Sequence, residues 1–121
     1  MLFTILCCKP AGDIETWSKD KEDRVMAAIA EVEHKLAKAG KLGPAARLMP
    51  PKTARTLRTV GGAVTDGPFA ETKEHLLGFY IVDAADHDEA VEIAKEIGRA
   101  NPGGSYEIRP VLLFREKPVA A

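Results

Sequence analysis

The stretch that decides the fold is Thr65–Val82, TDGPFAETKEHLLGFYIV. Its second half reads as a strand, HLLGFYIVDA, rich in branched and aromatic residues. In regular alternation Leu76, Tyr80 and Val82 lie on one side, and Leu77, Phe79 and Ile81 lie on the other. Both faces are therefore apolar. A solvated face would carry polar residues at every second position, so two layers must cover this strand.

Working outward, the other elements follow from their own periods. Phe3–Lys9, FTILCCK, reads as a buried strand closed by Pro10 and Gly12. Ser18 is an N-cap for a helix with an apolar stripe of Val25, Ile29, Val32 and Leu36, ended by Gly40. Glu31 and Lys35 are spaced to pair on its solvated face. Short strands are expected near Ala46–Met49 and Ala54–Val60, with a turn at Gly61-Gly62 and a return at Ala63–Thr65. After the central strand, Asp86 and Glu89 form a capping-box pattern before a stripe of Ala90, Ile93, Ala94 and Ile97, stopping at Gly98. Ser105–Phe114 is the last strand, and the tail beyond about residue 115 is expected to fray. This order of strand, helix, strands, helix, strand predicts one α+β domain over residues 1–121, a ferredoxin-like antiparallel sheet with both helices on one face. The uncovered apolar face is expected to pack on a second copy of the chain.

Composition narrows the function classes. A formal charge of −1 in 121 residues supplies no field for nucleic acid or anionic lipid. The apolar opening MLFTILCC meets Lys9 and Pro10 too soon to span a membrane. Cys7 and Cys8 are adjacent and point to opposite faces, unlike redox or zinc spacings, which suits a reducing cytoplasm. His34, His75 and His87 have no metal-ligand spacing, and no P-loop, GxGxxG or GxSxG occurs. No metal, flavin, nicotinamide or other cofactor is expected.

The block DGPFAETKE at Asp66–Glu74, followed by GFYIVDA and then YEIRPV at Tyr106–Val111, resembles the DGPF branch of the YCII-related proteins across nearly the whole chain. The resemblance implies a dimeric ferredoxin-like α/β barrel whose two sheets pack face to face. It leaves activity open between a small-molecule acid–base enzyme and a non-catalytic binding or regulatory dimer acting with an extracytoplasmic-function sigma-factor system. Two departures stand out. Leu77 sits where members often have a second glycine, and the first helix holds only the late His34, so the histidine–aspartate pair proposed for some members has no counterpart here.

Candidate site residues come from this block and from the last strand. Asp66 reads as a turn brace, accepting backbone N–H bonds, or as a base at the rim of a pocket between two sheets. Phe69 is expected to be an anchor in the core, with Glu71, Lys73 and Glu74 disposed around the rim. Glu107 and Arg109 share a strand face, either as a pair of little energetic weight or with Arg109 holding an anionic substrate by bidentate hydrogen bonds. Tyr80, if buried, needs a partner for its hydroxyl and would complete such a substrate site. Expected partners are a second copy and a small-molecule ligand, with neither nucleic acid nor membrane. Light scattering at micromolar protein should give twice the 13.1 kDa chain mass; a monomer mass would remove the second copy and leave the fold intact.

Overall fold

The computed structural model describes residues 1–10, 12–68 and 73–117. In chain order the elements are β1 (Leu2–Pro10), α1 (Lys19–Lys38), β2 (Leu42–Arg47), β3 (Arg55–Leu57), β4 (Val64–Asp66), β5 (Glu74–Asp83), α2 (His87–Ala100) and β6 (Ser105–Pro110). One-turn helices at Ile14–Thr16 and Pro51–Thr53 precede α1 and β3. Both long helices begin where the chain offers a short polar cap. Ser18 accepts from the Lys21 N–H at 3.1 Å, and Asp86 from the Glu89 N–H at 2.8 Å. Glu89 does not reach back to close the capping box; it pairs with Lys41 at 2.9 Å. Likewise Lys35 reaches Glu96 on α2 at 2.7 Å, tying the helices together, rather than Glu31 along its own helix.

Four strands form an antiparallel sheet in the order β2-β5-β1-β6, with β1 and β5 central. The connectivity β1-α1-β2-β5-α2-β6 is ferredoxin-like, with the β3–β4 hairpin inserted as a separate two-stranded ribbon. Alternation along β1 sends Phe3 and Ile5 toward the helices, where they join Val82, Leu36, Ala90, Ile93, Ala94 and Ile97 in one core. Phe3 and Ile5 are almost completely enclosed, and His87 packs edge-on to the Phe3 ring at 5.4 Å.

Four details differ from expectation, each for a local reason. β2 starts ahead of the strand expected near Ala46–Met49 and runs through Pro44, because β2 is an edge strand and its register slips between Leu42 and Ala45. Gly98 lies inside α2 instead of ending it. A Cβ there would stand 3.4 Å from the Tyr106 ring, so the glycine marks close contact between α2 and β6. Regular pairing of β6 stops at Pro110, leaving Leu112 fully exposed. Finally β5 carries a bulge: Gly78 pairs with Cys7 and Leu76 with Cys8, so Leu77 is the extra residue. The extra residue reverses the alternation upstream of it, placing Leu76 with Cys8 on the face away from the helices.

The bend from α2 into β6 is the tightest passage in the fold. Gly104 has φ +69°, and a Cβ would fall 2.1 Å from the Cys8 carbonyl oxygen. Gly104→Ala should cost about 2–4 kcal/mol, combining left-handed strain with overpacking against β1. Urea unfolding measures this; a loss under about 0.5 kcal/mol would show that the loop relaxes freely.

Candidate functional site

The helix side of the sheet is not filled evenly. Over β1 and β6, α2 makes a packed core, whereas toward β2 the inward positions include Ala45 and Gly78, too small to meet α1. A Cβ on Gly78 would lie 2.6 Å from the Ala46 carbonyl oxygen, so the close approach of β2 itself keeps that position bare. The result is a cavity of about 460 Å³ between α1 and the sheet. Ile29 and Cys7 are buried yet stand apart from the core cluster, because they form the cavity walls. Met26, Trp17, Leu77 and Pro50 add apolar lining, with Leu77 turned in by the bulge.

Few polar groups enter this space, and they are specific. The Tyr80 hydroxyl donates to Glu33 Oε1 at 3.4 Å, joining the middle of β5 to α1. Burial, and then the Glu33 negative charge, push the Tyr80 hydroxyl up to about 12, so it is a firm donor at neutral pH. Glu33 is half-buried and forms no ion pair among the described residues. Arg47 also lines the cavity, but its guanidinium is turned to Met26 Sδ at 3.1 Å and Glu22 at 3.7 Å. Asn101 Oδ1 is buried without a hydrogen-bond partner. Burial pushes the Cys7 thiol up, which disfavours the thiolate a nucleophile requires. Both cysteines are free.

Outside the lining but against its Trp17 lies Lys9, the one buried charged side chain among the described residues. Alternation along β1 sends it inward after Cys7, and its ammonium donates to the carbonyls of Pro102 at 2.8 Å and Gly103 at 3.1 Å. It also lies 5.7 Å from the ring of Trp17, and Lys21 lies 4.8 Å from the same ring. Trp17 is thereby fixed beside the cavity.

Of the residues singled out in the sequence, Tyr80 lies in this cavity and the others are placed elsewhere or not described. Asp66 ends β4, with its side chain 94% exposed and 3.7 Å from Arg55 across the ribbon. Lys73 is exposed ahead of β5. Glu107 and Arg109 are exposed on the sheet face away from the helices, level with Leu6 and Thr4. No Glu107–Arg109 pair forms within 4.0 Å. Phe69 and Glu71 lie outside the described residues. Glu33, Arg47, Trp17 and Asn101 were not anticipated. Glu33 carried a signal: it stands four residues after Ile29 and three before Leu36, inside the apolar stripe of α1. No group of three or more metal-ligating side chains occurs among the described residues.

Comparison with known proteins places these features in context. The family model for the YCII-related domain matches residues 1–115. An uncharacterized protein of Rhizobium meliloti (strain 1021) is 49% identical over 118 residues, covering 95% of each chain. Among solved structures, 5-chloro-2-hydroxyhydroquinone dehydrochlorinase (TftG) from Burkholderia phenoliruptrix AC1100, in complex with 2,5-dihydroxybenzoquinone, matches with a TM-score of 0.53 at 19% identity. That match covers 92% of this chain and 93% of the other. At that identity the likeness is one of fold.

Both tyrosines titrate late, Tyr106 also being pushed up by burial and then by Cys7. Each hydroxyl is neutral when folded up to a higher pH than when unfolded. Their stabilising contribution is thus complete below pH 10, the ordinary value, and for Tyr80 is lost as pH rises through about 12. Ultraviolet titration should show no tyrosinate transition near pH 10 in the folded protein, and Glu33→Gln should move one transition downward. An ordinary transition at pH 10 for either tyrosine would contradict the burial described.

Proposed function

The chain belongs to the YCII-related domain family, and within it we propose a small-molecule enzyme that moves a proton in the cavity between α1 and the sheet, with Glu33 as acceptor and Tyr80 as donor. The observation that carries this reading is the Tyr80–Glu33 hydrogen bond inside a largely apolar cavity of about 460 Å³. A carboxylate in an apolar setting loses hydration and is worth keeping where it accepts a proton. A neutral tyrosine hydroxyl can donate to an oxygen on which charge develops. In the elementary step a C–H bond of the substrate breaks, its proton passes to Glu33, and the electron pair stays on the substrate, delocalised to an oxygen that takes the Tyr80 hydrogen bond. No outside oxidant is required. The dehydrochlorinase sharing this fold is compatible with an enzyme reading.

Two further expectations join this proposal. The protein works as a homodimer of the DGPF branch, the sheet face bearing Leu6, Phe79 and Ile81 packing on its copy, because an apolar face of that extent on a small domain favours an isologous contact. The competing role, a non-catalytic dimer serving a sigma-factor system in the cytoplasm, keeps the same architecture but needs no proton acceptor.

Compounds that raise the melting temperature are the starting point, since ligands selective for the native state stabilise it. Incubated in D₂O with the protein, such a compound should exchange a carbon-bound hydrogen, followed by NMR. Glu33→Gln should slow exchange by about 100-fold or more, and Tyr80→Phe should slow it as well. Bound compounds that never exchange would favour the non-catalytic role.

A further inference from the structure

The charge of the molecule that fits this cavity is written in its lining. Asp13, Glu15 and Glu33 are the acidic residues of the lining, and Arg47 is its basic one. Glu15 lies 3.5 Å from Lys52 and Arg47 lies 3.7 Å from Glu22, so both are committed to exposed pairs at the rim. Glu33 differs: it is half-buried and its recorded partner is the Tyr80 hydroxyl at 3.4 Å, which satisfies one lone pair and supplies no charge. A carboxylate has roughly four acceptor sites, so Glu33 retains capacity toward the cavity. Around it stand Trp17, Met26, Ile29 and Leu77, an aromatic, sulfur and aliphatic surface suited to an apolar body. Glu33 is thus a lining carboxylate with spare acceptor capacity and no counter-ion among the described residues.

We propose that this cavity takes a small organic cation, an amine protonated at neutral pH on an aromatic or branched-aliphatic body, with its ammonium group against Glu33. An ammonium supplies both missing items at once, donors for unsatisfied acceptors and a charge for a carboxylate without a counter-ion. An anion such as a carboxylate would meet the Glu33 charge, while the one basic residue of the lining, Arg47, is already engaged by Glu22. Recognition and chemistry converge on the same carboxylate, because a cationic centre acidifies neighbouring C–H bonds. The inference rests on the cavity being the ligand site proposed above.

Three probes of nearly one shape separate the cases: 2-phenylethylamine, 2-phenylethanol and phenylacetate. Trp17, the single tryptophan of the chain, lines the cavity and reports binding by fluorescence, with thermal shift as a second readout. The amine should bind at least tenfold more tightly than the alcohol, and phenylacetate most weakly. Glu33→Gln should erase the preference for the amine while leaving binding of the alcohol within about twofold, and its far-ultraviolet spectrum verifies the fold. If the alcohol or phenylacetate binds as well as the amine, the cation preference is wrong and the cavity stands as a ligand site. If Glu33→Gln leaves the amine preference intact, the assignment to Glu33 is overturned. If none of the three binds at millimolar concentration, the cavity itself fails as a site for molecules of this size, and the inference fails with it.

Discussion

The alternation of β1 is the constraint from which the rest of the molecule follows. Its inward positions read Phe3, Ile5, Cys7, Lys9, an apolar-to-polar series along the central strand. Phe3 and Ile5 nucleate the packed core under α2, Cys7 stands at the boundary, and Lys9, at the far end, holds the carbonyls of Pro102 and Gly103. A buried ammonium is tolerable only with such partners. One strand thus divides the helix side into a packed half and an open half, and the open half is where chemistry has room.

The two faces of the sheet consequently differ in what they can do. On the helix side the Tyr80 hydroxyl and Glu33 meet part-buried beside a largely apolar cavity, where charges are screened less than on the open surface. On the other side Glu107 and Arg109 are exposed on the single chain, level with Leu6 and Thr4. Asp66, the most conspicuous acid of the DGPF block, sits on the β3–β4 ribbon, where its neighbour is Arg55. A charged motif that is prominent in the sequence need not mark the enclosed chemistry of the fold.

Local signals were legible and relational ones were not. Ser18 and Asp86 could be read as caps because capping involves four consecutive residues, and the stripes of α1 and α2 because a helix repeats within four. The element order predicted the α+β class and the two helices on one antiparallel sheet, both seen here. The start of β2 at Leu42 was not legible because a proline at position 44 is acceptable only in a strand at an edge, which is a fact about neighbours. Gly98 misled because its reason is the ring of Tyr106, eight residues away. The bulge at Leu77 arises from pairing with β1 some seventy positions earlier, and it alone decides which of Leu76 and Leu77 enters the cavity. Tyr80 was expected to need a partner if buried; the partner, Glu33, is on α1, and only the interruption of an apolar stripe hinted at it.

The placement of β1 between β5 and β6 also bears on how the chain is made. During synthesis β1 leaves the ribosome first, yet both of its partners come from the later part of the sequence, and Lys9 waits for carbonyls 93 and 94 residues downstream. Until those residues emerge, Phe3 and Ile5 have no sheet to join and Lys9 has no carbonyls to hold. The nascent chain therefore carries β1 unpaired until β5 and β6 have been made, a period in which its exposed edges invite association with other chains. Assembly of the sheet thus waits for its later strands, and the earliest strand of the sheet is among the last to be secured.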